Sequence, residues 1–127
     1  MNKKNTSMKN YFRLLSLIYL ILLSILLLVP LDLYLVANII EEKNQPSNNT
    51  SYLIHIVLFF IMYSLLHFSY SGKNKLFIFC LFYSILIEIL QIYTSRGFEI
   101  ADVFCNICGL IISYALFNIF IKRPSKI

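Results

Sequence analysis

Charge is scarce in this chain: lysine, arginine, aspartate and glutamate together make up 13% of its 127 residues. Soluble domains carry about a quarter, so a water-facing surface on every side is excluded. Glycine is equally sparse, with three residues and no phosphate-cradling loop among them. Neither a Gly-x-Ser-x-Gly nucleophile elbow nor a His-Glu-x-x-His zinc-protease helix occurs, which removes the easiest enzyme classes. Of the three cysteines, Cys105 and Cys108 form a C-x-x-C pair and Cys80 stands apart. With no second ligand pair for zinc, the cysteines read as small packing residues, and neither a metal nor a cofactor is expected.

What is abundant is apolar. Hydrophobic residues reach 59% and mean hydropathy is +0.76. They fall into four segments, at about 12–29, 53–70, 76–93 and 100–121. As helices these would each span roughly 27 to 33 Å, the thickness of a bilayer's hydrocarbon layer. The expected fold is all-α: an integral membrane four-helix bundle with antiparallel neighbours, formed as one domain over residues 1–127, because the polar connections are too short for anything else. The first apolar run closes on Pro30 and Asp32 without a small-x-small cleavage site, so it reads as an uncleaved helix and not a secretory signal. Residues 31–40, LDLYLVANII, read as a piece lying on the outer surface, followed by a polar loop.

Orientation follows from the basic residues. Lys3, Lys4, Lys9, Arg13, Lys73, Lys75, Lys122, Arg123 and Lys126 flank one side of the four segments, against Lys43 and Arg96 on the other. The positive-inside rule then places both termini in the cytoplasm of a multi-pass cell-membrane protein. That distribution also accounts for the net charge of +5, so membrane lipid is the expected partner and nucleic acid is not. Self-association is left open.

Against this apolar background a few polar residues stand out. On the third segment Ser84, Glu88, Gln91 and Ser95 are spaced four, three and four, and on the fourth Asp102, Asn106, Gly109 and Ser113 repeat that spacing. Each set lines one helix face. An ionisable group at membrane depth costs about 2.5 to 3.5 kcal/mol on insertion scales, so such residues pair or line a polar cavity. The two stripes are expected to face each other, with Cys105, Gly109 and Ser113 allowing close backbone approach. Arg96, in the turn, is the natural partner of Glu88 or Asp102, and Asp102 is a candidate cap for the fourth helix. His55 reaches the same outer end from the second segment. Tyr63, Tyr70, Tyr83 and Tyr93 read as lipid-facing or interfacial rings.

The run Glu88, Gln91, Arg96, Asp102, Asn106, Gly109 resembles the pattern of the VanZ-like membrane proteins, and His55 matches that family's histidine at the start of its second helix. Where the family pattern has an Asp-Lys pair before that histidine, this chain has Ser51 and Tyr52, which removes two charges from that end. The resemblance implies a cell-envelope protein associated with tolerance of teicoplanin-type glycopeptides and lipopeptides. Its outer-leaflet polar site would bind an amphiphilic antibiotic or a lipid-linked precursor, without catalysis. Two alternatives are a membrane-embedded enzyme that modifies a lipid or cell-wall precursor, with Glu88 or Asp102 as acid or base beside His55, and a structural partner whose polar seam only holds a bundle together. Cysteines introduced as Lys43→Cys and Arg96→Cys are expected to react with an impermeant thiol reagent added outside intact cells; labelling only after permeabilisation would invert the topology.

Overall fold

The computed structural model describes residues 3–29, 48–94 and 97–120. Within these, the chain forms four helices: α1, Lys3–Leu28; α2, Asn48–Ser69; α3, Lys73–Gln91; and α4, Ile100–Ala115, which runs on into a π-helical turn, Leu116–Phe120. All four are long and apolar enough to cross a membrane, over 6–28, 51–69, 73–91 and 100–120. The surface piece at 31–40, Lys43, Ser95, Arg96 and the basic residues 122–126 lie outside the described residues.

Helix starts differ from the hydropathy boundaries. α1 begins nine residues before Phe12 and α2 five before Leu53, because polar Lys3–Tyr11 and Asn48–Tyr52 are compatible with helix though not with lipid. Hydropathy marks how much of a helix is apolar, not where its hydrogen bonds begin. α3 ends early, tightening after Gln91 into bonds three residues apart, from Tyr93 N–H to Leu90 O and from Thr94 N–H to Gln91 O, each 3.1 Å. Gly72, with φ 117°, makes the reversal between α2 and α3 in the left-handed region that favours glycine.

Consecutive helices run antiparallel, but the tightest packing is between two parallel ones, α2 and α4. At their contact Gly109 lies against the Ile56 backbone. A Cβ built on Gly109 would meet the Ile56 carbonyl oxygen and stand 3.1 Å from its carbon. Further along, Ser64 and Ser113 hydroxyls pair at 3.0 Å. The small-residue stripe of α4 therefore serves α2, not α3 as the hairpin reading expects: short loops dictate which helices follow one another, while side-chain bulk decides which approach closest.

The interior is inverted relative to a soluble bundle. Its sealed residues include Ser16, His55, His67, Ser69, Ser84, Glu88, Gln91, Asn106 and Ser113, packed with Phe59, Met62, Tyr63, Leu66, Cys80, Ile87 and Leu110. The outer faces present Ile78, Phe82, Phe104 and Ile119, each more than 60% exposed. Such a surface belongs in lipid. Tyr93 is exposed and Tyr70 carries Arg13 over its ring at 5.5 Å, as interfacial rings should. Tyr63 and Tyr83 instead turn inward. Tyr63 is fully buried and accepts from Asn118 Nδ2 at 3.1 Å, and Tyr83 shares a 2.7 Å hydrogen bond with Ser24, because each phenol meets a polar partner inside the bundle.

Gly109→Ala places a methyl group against backbone that cannot rotate away. The variant is expected to lose about 1 to 3 kcal/mol of stability, read as a lower midpoint of thermal or detergent unfolding than wild type.

Candidate functional site

One end of the bundle gathers the N-terminal turns of α2 and α4 with the C-terminal turns of α1 and α3, and His55, Glu88, Asp102 and Asn106 meet there. Each arrives by its phase on its helix. Glu88 and Gln91 are three apart on the inward side of α3, and Asp102 and Asn106 four apart on α4. His55 comes from the second turn of α2, beside the Ile56 backbone on which Gly109 rests.

Asn106 is the hub. Its Nδ2 donates to Glu88 Oε1 at 3.1 Å, and its Oδ1 lies 2.9 Å from His55 Nδ1. His55 Nδ1 is also 3.8 Å from Glu88 Oε1, and its Nε2 is 3.5 Å from Asp102 Oδ2. Glu88 and Asn106 are fully buried and His55 nearly so, while Asp102 keeps 13% of its side chain exposed. Asp102 Oδ1 is buried with no hydrogen-bond partner among the described residues.

Two residues stand elsewhere than the sequence reading expects. Gln91 is buried at this end, but its Nε2 donates to Leu27 O at 3.1 Å and so ties α3 to α1. Asp102 is not the cap: Glu99 occupies that position, without a side-chain cap bond, and Asp102 sits in the first turn. There the positive end of the helix still favours its charge. Arg96 lies outside the described residues, and the interactions described for the two carboxylates run to Asn106 and His55. Of the packing residues, Cys105 is half-buried, and Gly109 and Ser113 are buried. Topology brings His55 to the same end as Asp102, but their 3.5 Å approach depends on α2 and α4 lying side by side.

Chemically, the cluster combines two carboxylates, an imidazole and an amide in a setting with little water. It can hold a cation, bind hydroxyl, amine or phosphoryl groups, or move a proton between His55 and Asp102.

The model of the VanZ/LLP1 family matches residues 3–121. The chain belongs to this family. The match takes in all four helices, so this VanZ/LLP1 protein carries the family's domain across its membrane-spanning body. No curated protein and no solved structure matches the chain.

Replacing the hub tests how strongly it binds the helices of this VanZ/LLP1 protein together. Asn106→Leu removes two buried hydrogen bonds and is expected to cost about 1 to 3 kcal/mol. Gln91→Leu removes a single interhelical bond of the kind averaging about 0.6 kcal/mol in membrane proteins. Unfolding in detergent should rank Asn106→Leu well below Gln91→Leu, and the reverse order would show that the α1 tie matters more.

Proposed function

We propose that this VanZ/LLP1 membrane protein contributes to glycopeptide and lipopeptide tolerance of the teicoplanin type by binding an amphiphile at the His55–Glu88–Asp102–Asn106 cluster. The amphiphile is a lipid-tailed antibiotic or a lipid-linked cell-wall precursor. The observation that carries this reading is the convergence of ionisable side chains from three helices on one end of a bundle whose outside is apolar. Glycine, leucine or serine contacts would hold helices together at lower cost than a buried glutamate and aspartate. The basic flanks support an orientation with both termini in the cytoplasm, in which the cluster would lie in the outer half of the membrane, just inside the helix ends. Asp102, the least buried member, is the group an incoming ligand meets first. The apolar faces around it suit the ligand's acyl chain.

A second reading, an enzyme acting on the same class of lipid, is favoured by one observation: an imidazole with a carboxylate oxygen 3.5 Å from Nε2 and another 3.8 Å from Nδ1. Such an arrangement suits general acid–base work.

Expression in a sensitive Gram-positive host, with susceptibility measured across lipid-tailed and tail-free glycopeptides, tests the binding reading. Wild type is expected to raise the inhibitory concentration of the lipid-tailed drugs, and His55→Gln and Asp102→Asn to abolish the increase at equal membrane abundance. Unchanged susceptibility, or variants as protective as wild type, would overturn it. A lipid extract with new masses only in wild-type cells would transfer the conclusion to the enzyme.

A further inference from the structure

The hydrogen bonds around Asn106 determine which nitrogen of His55 carries its proton. The Asn106 amide faces Glu88 with its NH₂ and turns its carbonyl oxygen to the histidine. His55 Nδ1 must then be the donor. In the neutral ring that leaves Nε2 with a lone pair 3.5 Å from Asp102 Oδ2, another lone-pair atom. Two acceptors facing each other in a buried site repel unless something positive lies between them. The gap is longer than the roughly 2.7 to 2.9 Å of a charge-assisted hydrogen bond. It suits a metal ion: bonds of about 2.1 Å to both atoms would subtend roughly 110° across it, close to tetrahedral.

Glu88 completes the group, its Oε1 standing 3.8 Å from the Nδ1 edge of the ring. One ligand atom from each of His55, Glu88 and Asp102 lies within 4.8 Å of the others. Bonds of about 2.1 Å in a tetrahedral site set ligand atoms roughly 3.4 Å apart, so the triangle closes on a cation by the two carboxylates turning inward. A histidine that donates its other ring N–H to a side-chain oxygen is the usual arrangement around a bound metal, and Asn106 supplies that oxygen. Asp102 Oδ1, buried without a hydrogen-bond partner among the described residues, offers a further donor atom at the same place. Two carboxylates balance the charge of a divalent ion, which lowers the cost of burying all three.

We propose that His55, Glu88 and Asp102 form a binding site for a divalent transition-metal cation, with Zn²⁺ the best match to one imidazole nitrogen and two carboxylate oxygens. The three side chains leave a fourth position for water or for an anionic oxygen of a ligand. The site stands on side-chain geometry alone and does not need the amphiphile reading to be right.

The test uses tag-free, full-length protein in lipid nanodiscs, stripped with chelator and dialysed against Zn²⁺, with no drug present. Wild type is expected to retain about one ion per chain, and a Cys105→Ser/Cys108→Ser variant to retain the same. His55→Ala and Asp102→Ala should weaken retention by more than about a hundredfold, beyond the loss from merely disturbing a supporting group. Co²⁺ loading of the wild type reads the ligands without any variant: visible bands of a four-coordinate nitrogen and oxygen site are expected. Absence of retained Zn²⁺ in the wild type, thiolate charge-transfer bands with Co²⁺, or equal retention by correctly folded His55→Ala and Asp102→Ala proteins would each overturn the site. Because the readout is metal content, its failure leaves the tolerance reading standing, and lost tolerance leaves the cation standing.

Discussion

The amide of Asn106 is the contact on which the rest of this architecture depends. It is fully buried, belongs to α4, and reaches both Glu88 on α3 and His55 on α2. Only a group that donates at one atom and accepts at another can satisfy a carboxylate and an imidazole N–H together. In hydrocarbon no solvent can substitute, so the polar atoms of one helix must be met by those of its neighbours. Gly109 makes that meeting possible. By bringing the Ile56 backbone against α4, it sets His55 within reach of Asn106 and Asp102.

Around that contact the protein distributes its energetics as membrane bundles do. Lipid tails are as apolar as the side chains they would replace, so packing and interhelical hydrogen bonds hold the helices, not hydrophobic burial. Serine hydroxyls serve twice. Ser24 and Ser64 bond the carbonyl of Leu20 and Phe60 on their own helix while meeting Tyr83 and Ser113 on another. The end opposite the polar cluster is finished with rings instead: His67 stacks on Phe117 at 5.1 Å, with Phe68 and Tyr63 alongside. Phe117 lies in the π-helical turn, whose wider winding is a departure often found where a helix must redirect a side chain. The two ends thus differ in chemistry. Buried carboxylates collect at one, and aromatic packing at the other, where the buried His67 lies among the rings.

Much of this was legible beforehand, for identifiable reasons. Four apolar runs of spanning length are a strong signal because a bilayer has one thickness, and four helices occupy them. The inward faces of α3 and α4 follow from 3.6-residue periodicity, which aligns Glu88 with Ser84 and Asn106 with Asp102. Periodicity says which side of a helix is polar without saying what it meets. Hence Gln91, aligned with Glu88, bonds α1 instead of α4, and Ser113, aligned with Asn106, bonds α2 instead of α3. Tyr63 and Tyr83 were hidden for a similar reason. A tyrosine in an apolar run suits an interface or a polar partner inside equally well, and only the neighbouring helix decides.

By itself, then, the order of residues determined the number of membrane crossings, the family and the set of polar side chains that had to leave the lipid, since each depends on local composition and spacing. Tertiary structure alone decided that α2 packs closest against α4, that Asn106 links the histidine to the buried glutamate, and that Asp102 faces an imidazole instead of capping its helix. Those outcomes rest on which helices come nearest, and that is governed by steric fit between surfaces separated by some fifty residues, to which no local pattern has access.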